Sequence, residues 1–250
     1  MRNKKLDAHE QLKYSRQLLI PEIGSEGQMK LKKASVLIVG TGGLGSPLAL
    51  YLTAAGIGRL GLVDSDSVEA TNLNRQILYN EQDIGKQKVA IAKEKLTLLN
   101  RHVAIETYPI QLIADNAAEL MQGYDVIADG TDNFSAKYLI NDTCVQIGKV
   151  DVYGSVYRCE GQVSIFNYHN GPCLRCVFPE TPATGVFPGS AESGIIGVLP
   201  AIIGSLQAVE IIKILLGIGT PLSGILLYYN ALTHTFKELK IQKNDTCPCH

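Results

Sequence analysis

SVLIVGTGGLGSPLALYLTAAGIGRLGLVD, residues 35–64, is the stretch from which the fold follows. It opens with a short apolar run, 35–39, that stops at a glycine-rich loop. From Gly45 to Ala55 the apolar pattern becomes helical, and RLGLVD at 59–64 is a second strand-like run ending in an acid. Strand, glycine loop, helix, strand is the opening of a nucleotide-binding α/β unit.

The alternation continues outward. Strand-like runs lie at 103–109, 125–129, 149–157 and 161–166, with helical stretches at 86–100, 115–122 and 133–147. This order predicts an α/β, Rossmann-like, mostly parallel sheet with helices on both faces. The last two runs, GILLYYNA and HTFKELKI, follow directly on one another and are expected to be antiparallel. With no linker, repeat or low-complexity tract, the expected organisation is one domain over 1–250. Residues 1–33 form a helical N-terminal arm, and the Pro- and Gly-rich stretch 167–194 forms a mobile crossover loop.

Composition narrows the partners. The chain has 250 residues, 46% of them hydrophobic, which suffices for a full core, and a formal net charge of −1. No basic excess points to nucleic acid or an anionic membrane. The N-terminal segment lacks an apolar stretch of signal length, so a cytoplasmic location is expected. The most apolar segment, Ile195 to Leu216, is interrupted by Pro200, Gln207, Glu210 and Lys213, as a buried core helix would be rather than a membrane span. Of six cysteines, four form two close pairs, Cys173 with Cys176 and Cys247 with Cys249, a pattern suited to reduced thiols or a metal. Cys144 and Cys159 stand alone, as small buried hydrophobes.

The loop Gly40-Thr41-Gly42-Gly43-Leu44-Gly45 is a G-x-G-x-x-G. Its bare backbone lets a phosphate approach the N–H groups that open the following helix. Asp64 ends the second strand, where an acid can hold ribose hydroxyls; Asp66 is either a second contact or a solvated turn residue. A dehydrogenase shares all of this. The segment that follows, Asp66 to Gln76, contains Asn72 and Arg75, and Lys88 comes soon after. Attack at the α-phosphate of ATP develops charge that needs cations and a metal ion, whereas hydride transfer does not. Arg16, Arg75 and Lys88 can supply the charge, and Asp132, after the 125–129 strand, can hold Mg²⁺. Singly, each has a plain structural role: Lys88 a solvated lysine on a lysine-rich helix, Asn72 and Asp132 helix caps.

Together these motifs resemble the MoeB/ThiF/HesA family, the bacterial relatives of ubiquitin-activating enzymes. The resemblance rests on the 36–89 segment with its GxGGLG and NLNRQ, and on KYSRQ, DGTDN, GQVSIF, PCLRC, GSLQAVEIIK and the terminal cysteines. It implies that Gly43 meets the ATP phosphates and Asp64 the ribose, that Asn72, Arg75 and Lys88 contact phosphate, and that Asp132 is the metal-linked acid with Asn133 beside it. Gly40, Gly42, Gly45, Asp66 and Gln76 complete the expected nucleotide site. The resemblance further implies that Arg16 reaches into the partner subunit's site in a homodimer, and that Cys173, Cys176, Cys247 and Cys249 hold a structural Zn²⁺. The implied activity is adenylation of the C-terminal Gly-Gly carboxylate of a ubiquitin-like sulfur-carrier protein, in molybdopterin or thiamine biosynthesis. Activation of another peptide carboxylate, or nicotinamide-dependent oxidoreduction on the same fold, are the alternatives.

The chain departs from the family pattern twice. Ser190 stands before Glu192-Ser193-Gly194 where many relatives carry a loop cysteine, so the expected reaction stops at the acyl-adenylate. The terminal pair is C-x-C rather than C-x-x-C and is followed by His250, a possible substitute ligand. Persulfide sulfur is expected from a separate donor protein.

Overall fold

The first strand, β1 (Ser35–Val39), is buried at every position in the computed structural model, which describes residues 5–182 and 193–249. Successive side chains of a strand leave on opposite faces. Val36 and Ile38 pack with Leu48 and Leu52 of α4 (Gly45–Ala55) and with Leu60 and Leu62 of β2 (Arg59–Val63). Leu37 and Val39 pack on the other side with Ala117 and Met121 of α6 (Ala114–Gln122) and Ile140 of α7 (Phe134–Ile147). An uninterrupted apolar run is therefore a strand covered on both faces.

The remaining strands are β3 (Ala104–Tyr108), β4 (Val126–Asp129), β5 (Val150–Tyr157), β6 (Glu160–Phe166), β7 (Ile225–Asn230) and β8 (Thr235–Lys240). They form one eight-stranded sheet in the order β3-β2-β1-β4-β5-β6-β7-β8. The strands from β3 to β5 pair in parallel, with Val36 opposite both Leu60 and Val126, and from β5 to β8 the pairing is antiparallel. Strand order reverses beside β1, which separates the carboxyl ends of β1 and β4 into a crevice where such sheets bind ligands. The mostly parallel sheet with an antiparallel C-terminal portion agrees with the expectation from sequence.

Helix α5 (Lys88–Leu99) starts two residues later than its apolar pattern suggests. Gln87 instead forms an antiparallel bridge with Ser67, and this leaves Lys88 at the first helical position. The N-terminal arm is three helices: α1 (Ala8–Lys13), α2 (Ser15–Leu18) and α3 (Gly24–Lys33). The stretch from 167 is less irregular than its composition suggests. Asn167, His169 and Asn170 make a turn with positive φ, and Cys173 opens the one-turn helix α8 (Leu174–Val177). Ser190, Glu192 and His250 lie outside the described residues.

Helix α9 (Leu199–Leu216) is the one helix among the described residues long and apolar enough to cross a membrane. It lies against α4, β5 and β6 instead. Its polar residues are buried and engaged: the Gln207 amide donates to Asp129 O and Val152 O, and Glu210 accepts from Lys213 and from the Leu222 N–H.

Among the described residues Thr53 Oγ1, Gln76 Oε1 and Gln207 Oε1 are buried without a partner, and one ionisable group joins them. Asp151 on β5 is fully buried, and neither carboxylate oxygen has a hydrogen-bond partner. Burial, then the neighbouring Asp129 carboxylate, pushes its pKa well above the ordinary range, against the opposing pull of Lys137. A raised folded-state pKa means the native state binds the proton more tightly than the unfolded chain. Its stability contribution is complete at low pH and is lost as pH rises from the usual aspartate value. Asp151→Asn removes that term. The variant should gain on the parent progressively between pH 5 and pH 8. Urea midpoints at the two pH values measure this; parallel midpoints would rule out a buried protonated carboxyl.

Candidate nucleotide site and cysteine cluster

The crevice is built from backbone first. Gly40 has a φ of +85°, and a Cβ there would sit 2.8 Å from Gly130 O. A Cβ at Gly45 would sit 2.0 Å from Gly40 O. Only bare backbone lets the β1 loop, the β4 loop and the start of α4 meet this closely. The N–H groups that open α4 then face the space above the loop.

Asp64 locks this loop. Its Oδ2 accepts from the Thr41 N–H at 2.8 Å and from Thr41 Oγ1 at 2.9 Å, and its Oδ1 accepts from the Asp66 N–H at 2.9 Å. The buried Tyr79 hydroxyl bonds Thr41 O and Oγ1 at 3.0 and 2.9 Å from beneath, and burial pushes its pKa upward. Asp64 Oδ1, which accepts one hydrogen bond where Oδ2 accepts two, keeps a lone pair for a further donor, as a ribose hydroxyl would require.

Beside the loop the basic cluster divides. Lys88 is 5% exposed, and its Nζ lies 2.8 Å from Asp66 Oδ2. A solvated surface lysine is thereby excluded, and Asp66 positions Lys88. Asn72 is buried at the end of a 3₁₀ turn (Ala70–Asn72), where its Oδ1 accepts from the Glu69 N–H, so it does have the capping role available to it. Arg75 is half-buried, with Nη1 on Thr71 O at 2.9 Å and Asn74 Oδ1 at 3.1 Å. Gln76 is 5% exposed with its Oε1 unpartnered, and its amide nitrogen would lie 3.4 Å from a Cβ at Gly42. An orphaned amide oxygen beside the glycine loop suits a site completed by a polar ligand.

On the β4 side, Asp129 Oδ1 accepts from the Thr131 N–H and hydroxyl, while its Oδ2 pairs with buried Lys137 at 3.0 Å. This pair stiffens the turn that presents Asp132. The helix cap falls to Asn133, whose Oδ1 accepts from the Ala136 N–H at 2.9 Å. Asp132 is exposed, and its carboxylate has no hydrogen bond or ion pair with the described residues. An unengaged carboxylate here fits a metal-bound phosphate. Gly43 meets Pro200 of α9 across the loop. Arg16 is exposed on α2, outside this cluster.

Tyr79, Asp129, Lys137 and Gln207 were not singled out from sequence. Only Asp129 carried a readable signal, as the acid ending a strand two residues before Thr131; the others act through contacts far apart in the chain.

The cysteines converge beside the middle of α7, next to Asn141 and Asp142. Cys173 Sγ lies 3.8 Å from Cys176 Sγ and 3.5 Å from Cys247 Sγ, and Cys173, Cys247 and Cys249 have their sulfurs within 4.8 Å of one another. Sulfurs around tetrahedral zinc are about 3.8 Å apart, so Cys173, Cys247 and Cys249 fit the ion, and Cys176 meets the group through Cys173. Burial, then the Asp142 carboxylate, pushes the Cys249 thiol up to about 11, and burial also raises Cys173. Cys176 is also penalised by burial, but N–H bonds from Asn244 and Cys173 outweigh that and lower it. A dication offsets the cost of ionising buried thiols.

Known proteins share this chain's sequence and fold. The ThiF family model matches residues 14–249. A sulfur carrier protein adenylyltransferase of Thermus thermophilus is 48% identical over 241 residues, covering 94% of this chain and 89% of that protein. An adenylyltransferase and sulfurtransferase MOCS3 of Xenopus laevis is 49% identical over 95% of this chain but only 53% of its own length, so the chain spans about half of that relative. A solved structure of Escherichia coli MccB with ATP superposes with a TM-score of 0.83 at 21% identity, covering 95% of this chain and 74% of that one, a likeness of fold. The chain belongs to the ThiF family.

Proposed function

We propose that this chain adenylates the C-terminal Gly-Gly carboxylate of a ubiquitin-like sulfur-carrier protein at the expense of ATP, as a single adenylation domain working in a homodimer. The observation that carries this reading is the unengaged Asp132 on the β4 turn, packed against a glycine cradle whose neighbouring lysine is buried. The 48% identity to a sulfur carrier protein adenylyltransferase supports it, and the MOCS3 and molybdopterin-synthase relatives favour a molybdopterin-type carrier.

In the proposed reaction a carboxylate oxygen of the carrier bonds to the α-phosphorus of ATP as the bond to the β-phosphate bridging oxygen breaks. Acyl-adenylate and pyrophosphate result. Asp64, held by Thr41 and Asp66, orients the ribose, and the α4 N–H groups and Lys88 meet the phosphates. Arg75 and Asn72 lie on the segment after β2 that borders the same loop. Mg²⁺, held through Asp132, would neutralise charge on the leaving pyrophosphate. The chain's work is positioning and preorganised charge. The sulfur donor acts afterwards on the adenylate.

Arg16 acts in trans in this reading. Its neighbours Tyr14 and Gln17 are anchored at the far end of α4, Tyr14 against Gly56 and Gln17 on Ala55 O. Eleven helical residues, about 16 Å, separate that end from the glycine loop. An arginine side chain cannot span this within one subunit.

Three outcomes follow. Asp132→Ala should fold normally and lose at least ~100-fold in ATP–pyrophosphate exchange with a Gly-Gly carrier; exchange near the parental rate would sink the role. A carrier panel that includes other peptide carboxylates identifies the acceptor in the same assay. Arg16→Ala and Arg75→Ala should each be inactive alone, yet a mixture of exchanging dimers should recover up to about a quarter of parental activity, because half the dimers hold one intact composite site. Confirmed subunit exchange without recovery would place Arg16 in its own subunit's site or in none. Finally, one zinc per chain is expected at the four cysteines, and its chelation should lower the melting temperature. Zinc-free protein of unchanged stability would mean ordinary thiols.

A further inference from the structure

A second metal-ligating cluster lies away from both sites, where α1 meets the turn between α5 and β3. His9 Nδ1 is 3.0 Å from His102 Nε2, the rings are 5.1 Å apart between centroids, and a carboxylate oxygen of Asp7 completes a group whose ligand atoms all fall within 4.8 Å of one another. The second ring nitrogen, His102 Nδ1, lies 3.9 Å from Asp7 Oδ2 and 3.9 Å from Glu10 Oε1.

We infer that His9, His102 and Asp7 bind a divalent transition-metal ion of the nickel or copper class. Four observations support this. First, two imidazoles and one carboxylate without a thiol suit nickel and copper, and the three residues bring their ligand atoms within 4.8 Å of one another. Second, both acids are held in place by other work. Asp7 Oδ1 caps α1 through the Glu10 N–H at 2.8 Å, and Glu10 Oε2 accepts from the Asp7 N–H at 2.9 Å and pairs with Lys32 at 2.6 Å. Each carboxylate thus turns its second oxygen toward His102. Third, the buried Glu10 brings a second carboxylate within 3.9 Å of the same ring, and its negative charge favours a cation there. Fourth, the backbone behind both histidines is fixed. The His102 N–H donates to Asn100 Oδ1, the Asn100 amide in turn donates to Tyr14 OH and Thr53 O, and Lys13 Nζ donates to Leu99 O.

The ion would pin the first helix of the arm to the nucleotide-binding half of the sheet, through a ligand set of two imidazoles and one carboxylate. The site has no thiol, which separates it chemically from the cysteine cluster.

Nickel chloride titrated calorimetrically into untagged, zinc-loaded full chain, under reducing conditions, tests this. One nickel per chain is expected in addition to the zinc, with weak ligand-field absorption and no intense sulfur-to-metal charge-transfer band. His9→Gln and His102→Gln should each weaken binding by at least ~10-fold. Asp7→Asn, which keeps a competent helix cap, should do so comparably. Pyrophosphate exchange should be unchanged in all three variants, and circular dichroism should confirm their fold. No nickel binding beyond the zinc content would overturn the inference and leave the histidines as a hydrogen-bonded pair. Equal affinity in the histidine variants, or a charge-transfer band that persists in them, would overturn it in favour of the thiols.

Discussion

The close contact between the ends of β1 and β4 is the constraint on which the rest of the molecule depends. A Cβ at Gly130 would lie 2.6 Å from Gly40 O, and one at Gly40 would lie 2.8 Å from Gly130 O. Because neither residue has a side chain, the two loops touch where the strand order reverses, and α4 starts directly above them. The loop that can cradle phosphate and the turn that presents Asp132 are consequently parts of one rigid corner. Adding a methyl to either glycine would separate them, or push α4 off the sheet, and with it the alignment of donors that charge stabilisation requires.

Behind that corner the polar groups form two linked supports. On one side Tyr79 holds Thr41, Thr41 holds Asp64, and Asp64 holds the Asp66 N–H, while the Asp66 side chain holds Lys88. On the other side Lys137 and Thr131 hold Asp129, and Gln207 from α9 bonds the Asp129 carbonyl. Buried polar networks of this kind rigidify when every member is satisfied. Among the described residues, Gln207 Oε1 and both oxygens of the adjacent Asp151 carboxyl are left without partners, and burial beside Asp129 favours the protonated, uncharged form of Asp151. The chain tolerates a destabilising group within reach of the very pair that orients the Asp132 turn.

The arm and the cysteine cluster address a different requirement, that of fastening distant segments to the sheet. Tyr14 and Gln17 seat the arm at the closed end of α4, and the Cys173–Cys247 contact joins the chain terminus to the segment after β6. Arg16, exposed on the same arm, makes no hydrogen bond or ion pair with the described residues.

By itself the sequence determined the sheet, its mixed direction and the glycine loop. Two-sided burial writes itself as unbroken apolar runs, such as 35–39, and a close backbone approach can only be written as glycine. It also named Asp64, Arg75, Lys88 and Asp132, because chemistry restricts which residue types can serve there. What it left open was which of two plausible jobs each polar residue performs. Tertiary structure decided that Lys88 is buried against Asp66 rather than solvated, that Asn133 rather than Asp132 caps α7, and that Asn72 does act as a cap. It alone brought His9 to His102, 93 positions apart, and Tyr79 under Thr41. The physical reason is range. Periodicity and glycine placement are local properties of the chain, whereas the environment of a charge is set by residues that only folding makes its neighbours.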